Sequence, residues 1–204
     1  MKQRLIILLS LLLTTVAGLR AETASQLLDR AAKTFSSAGS ISASYTLTSS
    51  GAGTTKGTLL FSGQKFVMTS PQLKTWYDGK TQWTLLIADN EVNVTEPTAA
   101  ELQEVNPFAI INTFRSGYNA KELKAPAGQR KLQLSTRTKQ SQIRSAIILF
   151  DSKTLLPTKI QLTMTGGQKV DIALTGVSKG PAKSTQTFQF QKKQHPGVDV
   201  IDLR

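Results

Sequence analysis

The stretch from Lys74 to Thr95, KTWYDGKTQWTLLIADNEVNVT, constrains the fold more than any other part of the sequence. It predicts three short antiparallel strands, because its apolar runs are separated by the turn-forming pairs Asp78-Gly79 and Asp89-Asn90. We expect a type I′ turn at Asp78-Gly79, since glycine readily adopts the positive φ that such a turn needs. The strands carry more apolar surface than one thin sheet can hide, so another part of the molecule must cover them.

Alternation of apolar and polar residues predicts strands through most of the remaining chain. Ile41, Ala43, Tyr45 and Leu47 alternate with serine and threonine, which is typical of a half-buried strand. Gly166-Gly167 predicts a hairpin turn between the last two strands. Further strands are predicted at Gly57–Phe61, Lys65–Ser70, Tyr118–Leu123, Lys131–Arg137, Ile143–Asp151, Pro157–Thr165 and Lys169–Val177. The run from Ala146 to Phe150 is apolar throughout, which indicates a strand covered on both faces.

Helices are predicted at only a few places. Residues 23–36 form the first helix, with the capping-box spacing of Thr23 and Gln26 and an apolar stripe on one face. Residues 98–104 form a short acidic helix. Asn106-Pro107 starts another, which ends at Gly117, because asparagine caps helices and proline is tolerated at the first helical position.

These counts favour a mainly β (α+β) fold with about eleven strands and two substantial helical segments. A sheet of that length curls, because strands twist and neighbouring strands are rotated relative to one another. Two short helices cover the inside of such a sheet without filling it. We therefore expect an open, incomplete antiparallel β-barrel with helices over its concave face and an apolar cavity beneath them.

The first 21 residues predict export. A basic start, an apolar core from Leu5 to Ala17 and the small residue Ala21 are typical of a cleaved signal peptide. We expect cleavage after Ala21 and one domain over residues 22–204. The chain has no cysteine, so neither a lipid anchor nor a disulfide is expected.

The sequence is strongly basic, but the distribution of its positive charge does not indicate a nucleic-acid partner. The net charge of +12 falls to +9 when Lys2, Arg4 and Arg20 are removed with the signal peptide, which leaves 22 basic and 13 acidic side chains. Lysine and arginine are scattered over the strands and form no stripe, and export argues against a nucleic-acid partner. A basic surface instead suits an acidic partner or an anionic membrane face.

The residues of common catalytic and metal sites are missing. His195 is the one histidine of the sequence and there is no cysteine, so no zinc cluster is expected. There is no G-x-S-x-G nucleophile motif. Residues 51–56, GAGTTK, lack the ending of a phosphate-binding loop and lie between two predicted strands. We therefore expect neither an enzyme nor a cofactor.

Several segments, taken in order, resemble the periplasmic lipoprotein carriers of the Lol pathway (LolA-like proteins). Asp78-Gly79-Lys80-Thr81-x-Trp83 is the most family-like of them. The others are Ile41-Ser42-Ala43-Ser44-Tyr45-Thr46, Gly57-x-Leu59, Lys65-Phe66-x-Met68, Asn106-Pro107-Phe108, Phe188-x-Phe190 and Pro196-Gly197-Val198-Asp199-Val200-x-Asp202.

The resemblance implies an open half-barrel that accepts a lipidated protein from an inner-membrane lipoprotein-releasing transporter and shields its acyl chains. Such a carrier then delivers the lipoprotein to the outer membrane, where a receptor is a further expected partner. The protein is expected to be a periplasmic monomer. An exported regulator that senses a lipid or a lipoprotein, and a carrier of another lipid, are the alternatives.

Nine residues are candidates for the acyl cavity and its lid. Five match the family by position: Phe66, Met68, Trp83, Phe108 and Ile111. Four are added from periodicity: Leu59, Trp76, Leu85 and Phe114. Packing in an ordinary core explains each of them equally well.

One turn departs from the family pattern. Family members often carry a basic residue followed by proline before the strand that starts here at Lys65, and an arginine there ties the lid to the barrel. This chain has Ser62-Gly63-Gln64 instead, so the same polar lock is not expected.

Overall fold

The computed structural model describes residues 22–98, 101–102, 117–139 and 141–204. The chain starts with the helix α1 (Ala24–Ser37) and ends in a tail with two 3₁₀ helices, Thr185–Phe188 and Lys192–Gln194. The first six strands are β1 (Ser40–Ser49), β2 (Gly53–Ser62), β3 (Lys65–Thr69), β4 (Leu73–Tyr77), β5 (Gln82–Leu86) and β6 (Glu91–Thr95). The others are β7 (Tyr118–Leu123), β8 (Gln129–Thr136), β9 (Ile143–Asp151), β10 (Pro157–Met164), β11 (Lys169–Gly180) and β12 (Asp199–Asp202).

The twelve strands form one long open sheet in the order β12-β6-β5-β4-β3-β2-β1-β11-β10-β9-β8-β7. Two meanders, β1 to β6 and β7 to β11, are joined by the antiparallel pairing of β1 with β11. β7 and β12 lie at the two ends of this order, so the sheet is not closed into a barrel. The predicted fold class, an open and mainly antiparallel half-barrel, is confirmed.

The structure differs from the predicted strands at one point of topology. β12 is an additional strand, and it pairs with β6 in parallel, from Asp199 opposite Glu91 to Asp202 opposite Val94. The four residues of β12 lack an alternating pattern and all are exposed, so the alternation of apolar residues does not reveal the strand. The predicted helix over residues 106–117 lies outside the described residues, apart from Gly117.

β9 is fully buried on one face only. Ala146, Ile148 and Phe150 are at most 1 % exposed, whereas Ile147 and Leu149 between them are half-buried. The prediction of a strand covered on both faces is therefore wrong, because an apolar run can also place aliphatic side chains on a partly exposed outer face.

The hairpin between β4 and β5 forms where it was predicted, but its central residues are shifted by one. Asp78 donates its backbone N–H to the Thr81 carbonyl at 3.2 Å, which makes Gly79 and Lys80 the central pair. Gly79 has φ of +104° and Lys80 is not among the residues with positive φ. A type I′ turn needs positive φ at both central residues, so the predicted turn type is wrong.

Asp78 also ties the C-terminal tail to this hairpin. One carboxylate oxygen accepts the backbone N–H groups of Lys80 at 3.0 Å and Thr81 at 2.9 Å, and the other accepts the Gln189 side chain at 3.0 Å. Partial burial opposes ionisation, but the hydrogen bonds from Gln189 and from the turn outweigh it and lower the pKa of Asp78. The carboxylate therefore stabilises the turn and the docked tail together.

The helix α1 is fixed at its start by a capping box and by ion pairs. Thr23 and Gln26 exchange the two backbone-to-side-chain hydrogen bonds that the sequence predicted. Glu22 contacts Arg30 of the helix and Arg130 of β8, each at 3.1 Å. Arg130 also holds Glu122 of β7 through two nitrogens, and this contact lowers the pKa of Glu122. Arg130 thus connects the start of α1 to the sheet.

We expect Asp78→Asn to lower the free energy of unfolding by about 1 kcal/mol at pH 7, because the amide nitrogen cannot accept the hydrogen bond from Gln189. A carboxyl whose folded-state pKa is lowered stabilises fully above its unfolded value, near 4, and loses this as the pH falls through the folded value. The difference between wild type and variant should therefore shrink below pH 4. Denaturant titrations at pH 7 and pH 3 measure it, with Asp89→Asn in the exposed β5–β6 turn as the control. An equal difference at both pH values would contradict the role of the charge.

Arg130→Met keeps the length of the side chain but removes its charge. We expect it to cost roughly 1 to 2 kcal/mol, because Glu22 and Glu122 lose charge-assisted hydrogen bonds that are only partly exposed to water. Hydrogen exchange of α1 amides should accelerate more than that of β9 amides. Arg144→Met, at an exposed position of β9, is the matched control, and equal acceleration in both variants would argue against the connection.

Candidate functional site

The face of the sheet that lies against α1, here called the helix face, is apolar over most of its width. Strand register places its members opposite one another, as in the pairs Ile41–Phe61, Leu59–Met68 and Ile160–Ile148. Each strand contributes alternate residues, all at most 8 % exposed: Ile41, Ala43, Tyr45, Leu59, Phe61, Phe66, Met68, Leu132, Leu134, Ala146, Ile148, Phe150, Ile160, Leu162, Ile172 and Leu174. This is a continuous apolar surface across seven neighbouring strands, which lie in the order β3-β2-β1-β11-β10-β9-β8.

α1 covers only part of this surface. Leu27, Leu28, Ala31, Ala32 and Phe35 form its buried stripe. A helix of 14 residues is about 21 Å long and about 10 Å wide, whereas seven strands at about 4.8 Å spacing extend roughly 30 Å across the sheet. The helix is therefore a cover on the apolar face and does not enclose it by itself.

A chain of aromatic rings runs from α1 into the sheet. The ring centroids of Phe35 and Phe61 are 5.4 Å apart, those of Phe61 and Phe66 are 6.2 Å apart, and those of Phe66 and Tyr77 are 5.3 Å apart. All three pairs are tilted, the kind of geometry in which aromatic rings attract one another. Burial raises the pKa of Tyr77, with a further contribution from Asp78, so its hydroxyl stays neutral.

Gly57 lies within this face for a steric reason. It is opposite Tyr45 in the β1–β2 register, and a Cβ on Gly57 would come within 1.9 Å of the Thr69 carbonyl oxygen and 2.6 Å of the Tyr45 hydroxyl. The Tyr45 hydroxyl donates to that carbonyl at 3.4 Å. Glycine therefore lets the tyrosine ring lie flat on β2 beside Leu59.

The helix face becomes polar at β5 and β6. Gln82 is opposite Tyr77 on one side and Thr95 on the other, and Thr84 is opposite Asn93. Gln82 donates to Thr84 at 3.3 Å, while its own carbonyl oxygen is buried without a hydrogen-bond partner among the described residues. The apolar surface thus ends in a polar border beyond Tyr77.

The opposite, outer face carries a second apolar cluster at this end of the sheet. Its strand members are Trp76, Leu85, Val92 and Val94, with Val67 and Trp83 packed against them. The tail covers them with Phe190, His195 and Val198. The Trp76 ring lies 5.6 Å from Phe190 and 5.6 Å from His195, in edge-to-face contact with both. This tail is the cover that the strands between Lys74 and Thr95 required.

The structure brings three of the nine candidate residues together. Leu59, Phe66 and Met68 are neighbours on the helix face. Trp76, Trp83 and Leu85 lie on the outer face under the tail, on the far side of the sheet from Phe66. Phe108, Ile111 and Phe114 lie outside the described residues. Trp83 and Phe66 therefore do not share a cavity in this structure.

Sequence reasoning missed most of the helix face. Tyr45, Phe61 and Leu132 belong to it, as do the buried residues of β9 to β11. Alternation within β1, β8 and β10 marks these positions, and it would have extended the candidate site far beyond the β2–β3 hairpin.

The turn that lacks the family's basic residue makes a different contact. Ser62 donates its hydroxyl to the Gly39 carbonyl at 2.6 Å, which connects the β2–β3 turn to the segment between α1 and β1. Gly63 has φ of +63°, a conformation that strains any other residue, so arginine does not suit that position.

Two further properties concern the described residues only. No group of three or more histidine, cysteine, aspartate or glutamate side chains within them is arranged to hold a metal ion. Among the same residues, none of the helices has both the length and the apolar character that crossing a membrane requires.

Comparison with solved structures gives a shared fold with a distant protein that matches at a TM-score above 0.5, and weaker likenesses to others. An uncharacterized conserved protein from Thermus thermophilus matches with a TM-score of 0.59 at 13 % identity, covering 88 % of this chain and 98 % of that one. A LolA superfamily protein from Nitrosomonas europaea matches with a TM-score of 0.46 at 9 % identity, covering 82 % and 98 %. MucB in the Pseudomonas aeruginosa MucA/MucB complex matches with a TM-score of 0.45 at 19 % identity, covering 83 % and 62 %.

Comparison of sequences identifies the family of this protein. No curated protein sequence matches the chain. The family model described as outer membrane lipoprotein carrier protein LolA matches residues 13–168, which is well over half of the chain. This protein therefore belongs to the LolA family of outer membrane lipoprotein carrier proteins.

Proposed function

We propose that this protein carries lipoproteins, shielding their acyl chains against its helix face while they move from the inner to the outer membrane. Two observations support the proposal. The chain belongs to the LolA family. The helix face has a continuous apolar surface of sixteen strand residues, which is buried in this structure and of which α1 covers a part. No bond is made or broken in this function.

The surface offers enough binding energy for one acyl chain. Each buried methylene contributes about 0.8 kcal/mol, so a chain of roughly fifteen methylenes gains up to ~12 kcal/mol. A carrier must also release its cargo. If the acyl chains displace α1, the exposure of Leu27, Leu28 and Phe35 offsets part of the gain, at about 2 kcal/mol for each side chain. The helix thus lowers the net affinity to a value that permits transfer.

The polar border suits the part of the cargo that is not lipid. Acyl chains against Phe66 and Met68 leave the peptide end of a lipoprotein near Gln82, Thr84 and Asn93, where amide and hydroxyl groups are available for hydrogen bonds. The buried carbonyl oxygen of Gln82 is free to accept an N–H group.

The setting of the function belongs to the same proposal. Residues 1–21 act as a cleaved signal peptide, and residues 22–204 work in the periplasm as one domain. The donor is an inner-membrane lipoprotein-releasing transporter, and an outer-membrane receptor accepts the cargo.

A palmitoylated peptide should contact the helix face and not the outer face. We expect Phe66→Glu to weaken its binding at least about tenfold, since a buried carboxylate next to an acyl chain costs more than about 1.4 kcal/mol. Fluorescence anisotropy of a labelled palmitoylated peptide measures the affinity. Trp83→Glu is the matched control on the outer face and should bind within about twofold of wild type.

Photo-crosslinking tests the same assignment without burying a charge. Benzoylphenylalanine is introduced in place of Phe66 or Trp83, so that both variants carry the same aromatic probe. Crosslinking of the peptide from position 66 and not from position 83 is expected. Crosslinking from position 83 alone would place the cargo on the wrong side of the sheet for this proposal.

The native cargo can be identified directly. We expect mass spectrometry of the protein purified from its own periplasm to find acylated N-terminal peptides of lipoproteins. If a glycolipid or free fatty acid were bound instead, the lipoprotein assignment would fail while the acyl-binding face remained. An exported sensor would be indicated by a co-purifying membrane regulator.

A further inference from the structure

The outer face carries an open groove of about 680 Å³ next to the cluster under the tail. It crosses β11, β1, β2, β3 and β4, and the tail residues Lys183 and Thr187 also line it. The groove lies on the side of the sheet opposite the apolar helix face, so the function proposed above does not use it.

One row of the groove floor consists of short hydroxyl side chains, and the row beside it includes the apolar residues Leu60 and Val67. Strand register places Ser44 opposite Thr58, Thr58 opposite Thr69, and Thr69 opposite Lys74, in one row across the sheet. The adjacent row contains Ser178 opposite Ser42 at the β11 end. Small side chains keep the floor low, and their O–H groups are available as donors to a ligand.

The charge of the groove has one sign. Lys74, Lys179 and Lys183 line it, and none of its described lining residues is acidic. None of the three lysines forms an ion pair with a described residue. Lys74 instead lies over the Trp76 ring, 4.6 Å from its centroid. Three unpaired lysines around hydroxyl donors form a site that is complementary to carboxylates.

The length of the groove indicates an extended ligand. Lys179 belongs to β11 and Lys74 to β4, and these strands are four positions apart in the sheet. At about 4.8 Å for each strand spacing, the two ends are about 19 Å apart. One phosphate or one carboxylate does not reach both ends, whereas an extended peptide of about six residues does, at roughly 3.3 Å for each residue.

A carbohydrate fits this site less well. Sugar rings commonly pack on exposed aromatic faces, but Trp76 is 5 % exposed and is enclosed by Lys74, Phe190 and His195. A membrane surface is flat, whereas this site is a groove of about 680 Å³ bordered by the tail residues Lys183 and Thr187. We propose that this groove binds an extended acidic segment of a partner protein, on the face of the sheet opposite the acyl chains.

The probe for the test is a fluorescein-labelled six-residue peptide of alternating glutamate and serine, added to the full mature chain at low salt. Fluorescence anisotropy gives its affinity. Lys74→Glu combined with Lys183→Glu should weaken binding at least about tenfold. Lys121→Glu combined with Lys124→Glu, at exposed positions in and next to the far-edge strand β7, changes the net charge equally and should change the affinity less than about threefold.

A second variant distinguishes binding in the groove from non-specific electrostatic attraction between the acidic peptide and the basic protein. Thr58→Trp keeps every lysine but fills the floor at an exposed position, so it should abolish binding while circular dichroism and melting temperature stay the same. Wild-type affinity in Thr58→Trp would overturn the proposal. It would also be overturned if a heparin hexasaccharide bound more tightly than the peptide and showed the same dependence on Lys74 and Lys183.

Loss of peptide binding and loss of acyl binding can be told apart. The double lysine variant should bind the palmitoylated peptide as wild type does, and Phe66→Glu should bind the acidic peptide as wild type does. If Phe66→Glu lost both ligands while remaining folded, the two faces would not be independent and the groove proposal would fail.

Discussion

The pairing of β1 with β11 is the contact on which the rest of the architecture depends. It joins two meanders that are separate in sequence into one sheet, from Ser40 opposite Gly180 to Ser49 opposite Val170. The two strands are among the longest of the molecule. A bulge between Ser42 and Ser44 adds a residue to β11 at Gly176, whose φ of +61° suits glycine. Such a bulge strengthens the local twist and so helps the sheet to curl.

A sheet assembled in this way has two faces with different covers. On the helix face, α1 belongs to one apolar cluster with residues of both meanders, so the pairing of β1 with β11 completes the surface on which the helix packs. On the outer face, the tail packs on β4 to β6 and also contacts β3. Between the tail and the middle of the sheet, the outer face has a row of short hydroxyl side chains, and there the lysine-lined groove remains open. The proposed acyl-binding face is therefore buried in this structure and requires displacement of a cover, whereas the groove on the outer face is already open.

Local sequence predicted local structure well. The capping box of α1, the turns at Asn90 and Gly167 and eleven of the strands could be identified from residue type and spacing, because these signals act within a few residues. The open half-barrel followed from the number of strands. β12 could not be identified, since its four residues are all exposed and its pairing partner lies more than a hundred positions earlier.

The face of each side chain could be predicted only in part. Alternation shows that Trp76 and Lys74 share one face of β4, but not which face of the sheet this is. The answer depends on register, which places Trp76 opposite Val67 and not opposite Phe66. Trp83 was assigned to the cavity by its position in the family pattern and Trp76 by periodicity, and neither signal shows on which face of the sheet a residue lies. The tail residues Phe190 and His195, which determine where Trp76 is buried, are over a hundred residues away in sequence.

The late position of β12 has a consequence for how the chain is completed during synthesis. Until residues 199–202 emerge, one backbone edge of β6 has no strand to pair with, and Val92 and Val94 lack part of their cover. An unpaired edge next to exposed aliphatic residues is a template for intermolecular association. The nascent chain therefore needs protection until β12 pairs, and that pairing moves the free edge of the sheet to a short strand with an aspartate at each end, which disfavours further pairing.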